Sequence, residues 1–127
     1  MLTAIEEWKP DFVGIEHIQL QVYRNQDNGA IMRQVETYRV LANLQGVLLD
    51  ALFEANIPSD LVISSVWREY CGVGGKDREA KKRAAQSKVL SWYNLGCTQD
   101  EADAICIGKY FVGRRALAAD MWGESFD

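Results

Sequence analysis

Two carboxylate settings in this chain of 127 residues have the types and spacing to do chemistry. In DFVGIEHIQLQ, residues 11–21, Glu16 sits among Phe12, Val13, Ile15 and Ile18. In TQDEADAICIG, residues 98–108, Asp100 and Asp103 are three apart, which puts both on one face of a helix. A carboxylate among apolar neighbours is costly unless it pairs, takes up a proton or binds a metal. Asp100 has a structural explanation, because the positive end of the helix dipole favours an anion near a helix start. Asp103 lies further along, between Ala102 and Ala104, where that explanation does not reach. Two unexplained anions, Glu16 and Asp103, invite one shared cation. Oxygen ligands of this kind select Mg²⁺ or Mn²⁺. Divalent ions held about 4 Å apart activate water and stabilise the leaving oxygen in phosphodiester hydrolysis. The structural alternative pairs Glu16 with Arg68 or Lys82 and leaves Asp103 half exposed.

Charge points to a partner for such a site. The chain is acidic overall, at −4, which argues mildly against nucleic acid. Its cations are unevenly placed. Between Val66 and Lys88, the seven cations Arg68, Lys76, Arg78, Lys81, Lys82, Arg83 and Lys88 face three anions, a local +4. A basic segment on an acidic protein can still follow a phosphate backbone. Other chemistries are poorly served. Cys71, Cys97 and Cys106 form no C-x-x-C pair and His17 is the only histidine, so a structural zinc site is not expected. Free, largely buried thiols in a reducing cytosol are. CGVGGKD, residues 71–77, lacks both the early glycine and the Ser or Thr after Lys that a phosphate-binding loop requires. The start MLTAIEEWK is too acidic for a signal peptide, and no apolar run approaches the ~18 residues of a membrane span. A cytoplasmic protein is the expectation.

The elements that must position these residues follow from the pattern. Hydrophobic residues make up 48% of the chain, enough for the core of one domain. Residues 2–8 read as a helix closed by Lys9-Pro10. Residues 11–17 read as a short strand and 25–30 as a turn, with Asn28 a plausible helix cap. From Ala30 to Asn56 apolar residues recur at Ile31, Val35, Tyr38, Leu41, Leu44, Leu48 and Leu52, one face of a helix of roughly 40 Å. Val40, Val47, Leu49 and Phe53 widen that stripe enough for a second partner, including another subunit. DLVISS, residues 60–65, reads as a second strand, giving a β-α-β unit with a parallel crossover. A basic helix over 77–94 ends at Asn94-Leu95-Gly96. Thr98 and Glu101 form a capping box that starts the last helix, which continues over 103–118. The tail over 120–127 is expected to be loosely held.

Taken together, DFVGIEHIQLQ, the long helix, IPSDLVISSVWREYCGVGGKDREAKKRAAQ and TQDEADAICIG resemble the RuvC-type Holliday junction resolvases, over roughly residues 5–112. The likeness is greatest to the divergent forms of Gram-positive bacteria and their phages. It implies an α/β, RNase H-like fold with two short parallel strands and long helices. It also implies a homodimer that cuts four-way DNA junctions with Mg²⁺ (or Mn²⁺) held by four carboxylates. Residue by residue, Glu16 matches the acid ending the fourth strand, and Asp100 and Asp103 match the acidic pair of the last helix. Glu101 is better explained as the cap. The family's site lysine falls at Lys81 or Lys82, with catalytic use of Lys82 the expectation. Arg68, Lys76, Arg78, Lys81, Lys82 and Arg83 become the DNA-contacting set.

The family's first catalytic Asp lies on an opening strand that has no counterpart here. By this resemblance, residues 1–127 are a single nuclease domain equivalent to the C-terminal two-thirds of a resolvase. In that fold order the strand at 11–17 has lost its first neighbour. Because isolated two-stranded sheets are marginal in water, a second copy packed about a two-fold axis through the long helix is expected. A non-catalytic dimeric DNA-binding protein using 68–88 is the alternative, and a structural α/β oligomer is a third reading.

Overall fold

The computed structural model describes residues 2–20 and 28–122. Its elements are α1 (Leu2–Trp8), β1 (Val13–Glu16), α2 (Asn28–Glu54), β2 (Ser59–Val62), α3 (Ser64–Cys71), α4 (Arg78–Tyr93) and α5 (Gln99–Trp122). The protein is mixed α/β, mostly helical, with two short parallel strands. It divides into two compact units, Met1–Leu61 and Val62–Asp127. No helix of the described residues is long and apolar enough to cross a membrane.

In the first unit the backbone stops where the local chemistry requires. Lys9 adopts a left-handed φ of 46° and its N–H closes α1 onto the Ile5 carbonyl at 2.9 Å, immediately before Pro10. Asn56, at φ 58°, does the same for α2 ahead of Pro58. Asn is among the few non-glycine residues that tolerate this region. Val13 N–H donates to the Pro58 carbonyl at 3.0 Å, which registers the start of β1 beside the segment entering β2. The Gln45 side chain of α2 accepts from Ile18 N–H at 3.0 Å and ties the end of β1 to the long helix. Ile5 and Leu52 are the buried apolar anchors of this unit. Much of the α2 stripe lies open: Leu44, Val47 and Phe53 are 60%, 69% and 81% exposed. The turn expected at 25–30 falls largely outside the described residues.

The second unit is a helical assembly in which α5 packs against both α3 and α4. Its core is Trp67, Cys71, Val73, Ala85, Val89, Ala102, Cys106, Ile107 and Phe111. Helix α3 corrects the expected strand over 60–65. The strand ends at Val62, Ile63 is extended (φ −73°, ψ 141°), and Ser64 opens a helix that buries Trp67 and Cys71 four residues apart. Gly72 then takes φ 68°, with Gly72 N–H on the Glu69 carbonyl and Val73 N–H on the Arg68 carbonyl. These two bonds form a Schellman stop, which needs a left-handed residue and strongly favours glycine. The expected limits of α4 hold as its caps: the Asp77 carboxylate accepts from Ala80 N–H at 2.8 Å, and Asn94 ends the helix at φ 53°. The capping box of α5 is present in both directions, with Thr98 N–H on Glu101 Oε1 at 2.9 Å and Glu101 N–H on Thr98 Oγ1 at 3.2 Å. Helix α5 runs to Trp122, beyond the expected 118, and 123–127 lie outside the described residues.

Candidate functional site

The second unit gathers charge around Asp103. Asp103 sits one turn after Asp100 on α5 and is half-buried, while Asp100 is exposed. Burial raises the Asp103 acid above the usual carboxylate range, the neighbouring Arg68 opposes that rise, Asp100 adds to it, and Lys82 opposes it. Three helices therefore meet at one carboxylate: α3 brings Arg68, α4 brings Lys82, and α5 brings the acidic pair. Arg68 and Lys82 act on Asp103 through their charges, while Arg39 and Glu36 form an ion pair on α2. Asp103 is thus a partly desolvated carboxylate with two cations near it. Such a group gains from a further positive charge more than a solvated carboxylate does.

The packing separates the basic residues into two sets. Lys82 and Arg68 are half-buried, with charges that reach Asp103. Lys76, Arg78, Lys81 and Arg83 are exposed. Lys82 rather than Lys81 is therefore the lysine at the acidic pair. Arg68 is supported from below, its guanidinium carbon 4.9 Å from the centre of the fully buried Trp67 ring. Lys88 is turned elsewhere, its Nζ 3.3 Å from where a side chain on Gly72 would begin, at the carbonyl end of α3. A cation there complements the helix dipole.

Glu101 faces its cap, as its bonds to Thr98 show, and those bonds hold its acid below the usual range. Glu16 is half-buried at the end of β1, in the first unit. Among the described residues, no group of three or more His, Cys, Asp or Glu is gathered closely enough to hold a metal ion. Asp100 and Asp103 supply two carboxylates on one helix face. Two oxygen donors suit Mg²⁺, which retains several waters and is commonly held by one or two carboxylates together with substrate phosphates.

Sequence reasoning missed α3 and with it the role of Arg68 beside Asp103. Trp67 and Cys71 at helical spacing, followed by Gly72, were the available signal. It also missed an aromatic clamp in which Lys109 Nζ lies 4.5 Å from the Trp92 ring centre and 5.1 Å from that of Tyr93. Comparison with protein-family models, with curated proteins and with solved structures finds no match to this chain.

Proposed function

We propose that the chain is a Holliday junction resolvase-like endodeoxyribonuclease of RNase H-like type, acting on branched DNA as a homodimer. The observation that carries this reading is the composition of the α5 end: Asp100 and the partly desolvated Asp103 share one face, with Lys82 and Arg68 beside them. A divalent ion bound there supplies activation of water and stabilisation of the leaving oxygen. The chain's own residues do the rest. Asp100 and Asp103 would hold the ion from one helix face. Lys82 and Arg68 neutralise phosphate oxygens approaching the pair. Lys76, Arg78, Lys81 and Arg83, exposed on α4 and the preceding loop, contact phosphates without reading sequence.

Support for the second copy comes from α2. Its open side carries Arg33, Glu36 and Arg39 in one half, with Arg39 paired to Glu36, and Asp50 and Glu54 in the other. An antiparallel, two-fold pairing centred near Leu44 sets Arg33 of each helix against the acidic end, with Asp50 and Glu54, of its mate. The second reading, a non-catalytic DNA-binding dimer, is favoured by one observation: the described residues gather no three-ligand group.

Paramagnetic broadening of amide signals by Mn²⁺ tests the metal site. Selective loss of signals around residues 99–104, abolished by Asp100→Asn with Asp103→Asn, is expected. Uniform weak broadening at surface carboxylates would remove the metal and leave the second reading.

A further inference from the structure

Cys71 and Cys106 take no part in the function proposed above, yet both are buried where α3 packs on α5. Cys71 ends α3 and Cys106 lies one turn past Asp103 on α5. Both are free thiols and both are buried, Cys71 at 6% exposure and Cys106 at 0%. The Cys71 thiol donates to the Cys106 carbonyl at 3.4 Å, which brings its sulfur to the backbone of the other cysteine. The same two helices also meet edge to face through Tyr70 and Tyr110, whose ring centres are 5.4 Å apart. Cys97, the third thiol, is half-exposed in the loop before α5.

We propose that Cys71 and Cys106 form a reversible disulfide that staples α3 to α5 beneath the Arg68–Asp103 charge cluster, with a low-molecular-weight disulfide as oxidant. The two cysteines differ in a way that orders the steps. Burial pushes the Cys106 thiol up to about 12, with the facing Cys71 adding to it. Burial raises Cys71 too, but the neighbouring Cys106 and then Lys109 and Lys88 pull it back, and Cys71 is the more exposed residue of the two. The Cys71 thiolate attacks one sulfur of oxidised glutathione and expels one glutathione thiolate, leaving a mixed disulfide. The Cys106 sulfur, losing its proton as it attacks, then displaces the second glutathione from Cys71. Two protein thiols are oxidised and one glutathione disulfide is reduced to two thiols. Buried thiols react through local opening, so the exchange is slow but selective. Closing the chain between residues 71 and 106 restricts the unfolded state and so favours the folded one.

The test is equilibration of the whole chain with glutathione buffers of graded poise, quenching with an alkylating reagent, and peptide mapping without reduction. The expected result is a Cys71–Cys106 peptide, about 2 Da lighter than its reduced pair, with Cys97 alkylated. The same cross-link should form in Cys97→Ser and disappear in Cys71→Ser. The oxidised wild-type chain should unfold at a higher urea midpoint than the reduced one. Disulfides through Cys97, or Cys71 and Cys106 still fully alkylated at the most oxidising poise, would overturn the proposal. A cross-link that leaves the midpoint unchanged would overturn its role as a staple.

Discussion

Replacing Trp67 by Ala tests the packing that holds the charge cluster together. Trp67 is the largest fully buried side chain among the described residues, and its ring supports the Arg68 guanidinium at 4.9 Å. A buried tryptophan removes about 200 Å² from water, of which alanine keeps a small part. At about 25 cal/mol per Å² the loss is about 4 kcal/mol, within the ~3–5 kcal/mol found for large aromatic truncations. Against a total of ~5–15 kcal/mol for a typical domain, that is a large share. Trp67→Phe keeps a ring and should cost about 1–2 kcal/mol. Trp8 provides the control, since at 77% exposure its truncation should change stability by less than ~0.5 kcal/mol. Urea unfolding followed by circular dichroism reads all three. A cost below about 1 kcal/mol for Trp67→Ala would refute the reasoning, because a residue with no exposed surface cannot be removed so cheaply.

Three further outcomes are expected. Asp103→Asn should stabilise the metal-free chain at neutral pH. The folded state holds the Asp103 proton more tightly than the unfolded chain, so wild-type stability falls as pH rises from the unfolded value of about 3.9 through the raised folded one. The gap between variant and wild type should therefore close as pH drops below that window; a gap independent of pH would contradict the argument. Lys81→Ala with Lys82→Ala should weaken junction binding and flatten its salt dependence by about one unit per lost phosphate contact, and an unchanged slope removes α4 as the DNA surface. Val47→Glu, on the open side of α2, should convert a sedimenting dimer to monomer without loss of helix, whereas a wild-type chain already monomeric at micromolar concentration would sink the two-fold pairing.

Local chemistry was legible where a few neighbouring residues decide it. Asp77, Asn94 and the Thr98–Glu101 pair cap their helices as their types and spacing require. The apolar period of α2 marked its length to within two residues at either end. Helix α3 was hidden because Leu61, Val62 and Ile63 read as a continuing strand, and because its eight residues hold little periodicity. What overrode propensity was tertiary: Trp67 is fully buried, and α3 packs on α5. The extension of α5 to Trp122 was missed for the opposite reason. RALAAD has no apolar stripe, but alanine and leucine are strong helix formers without one. The acidic pair was found from its spacing alone. That Arg68 and Lys82, rather than Lys81, stand beside Asp103 depends on how three helices pack, which no local pattern encodes.

The central claim is that this chain acts on branched DNA through the α5 carboxylates, and a labelled four-way junction tests it most directly. The junction is incubated with the protein and Mn²⁺, then run on native and denaturing gels beside a linear duplex of equal length. The account predicts tighter binding to the junction than to the duplex, with nicks near the crossover that Asp103→Asn abolishes while binding persists. A junction bound no better than duplex and left intact would contradict it.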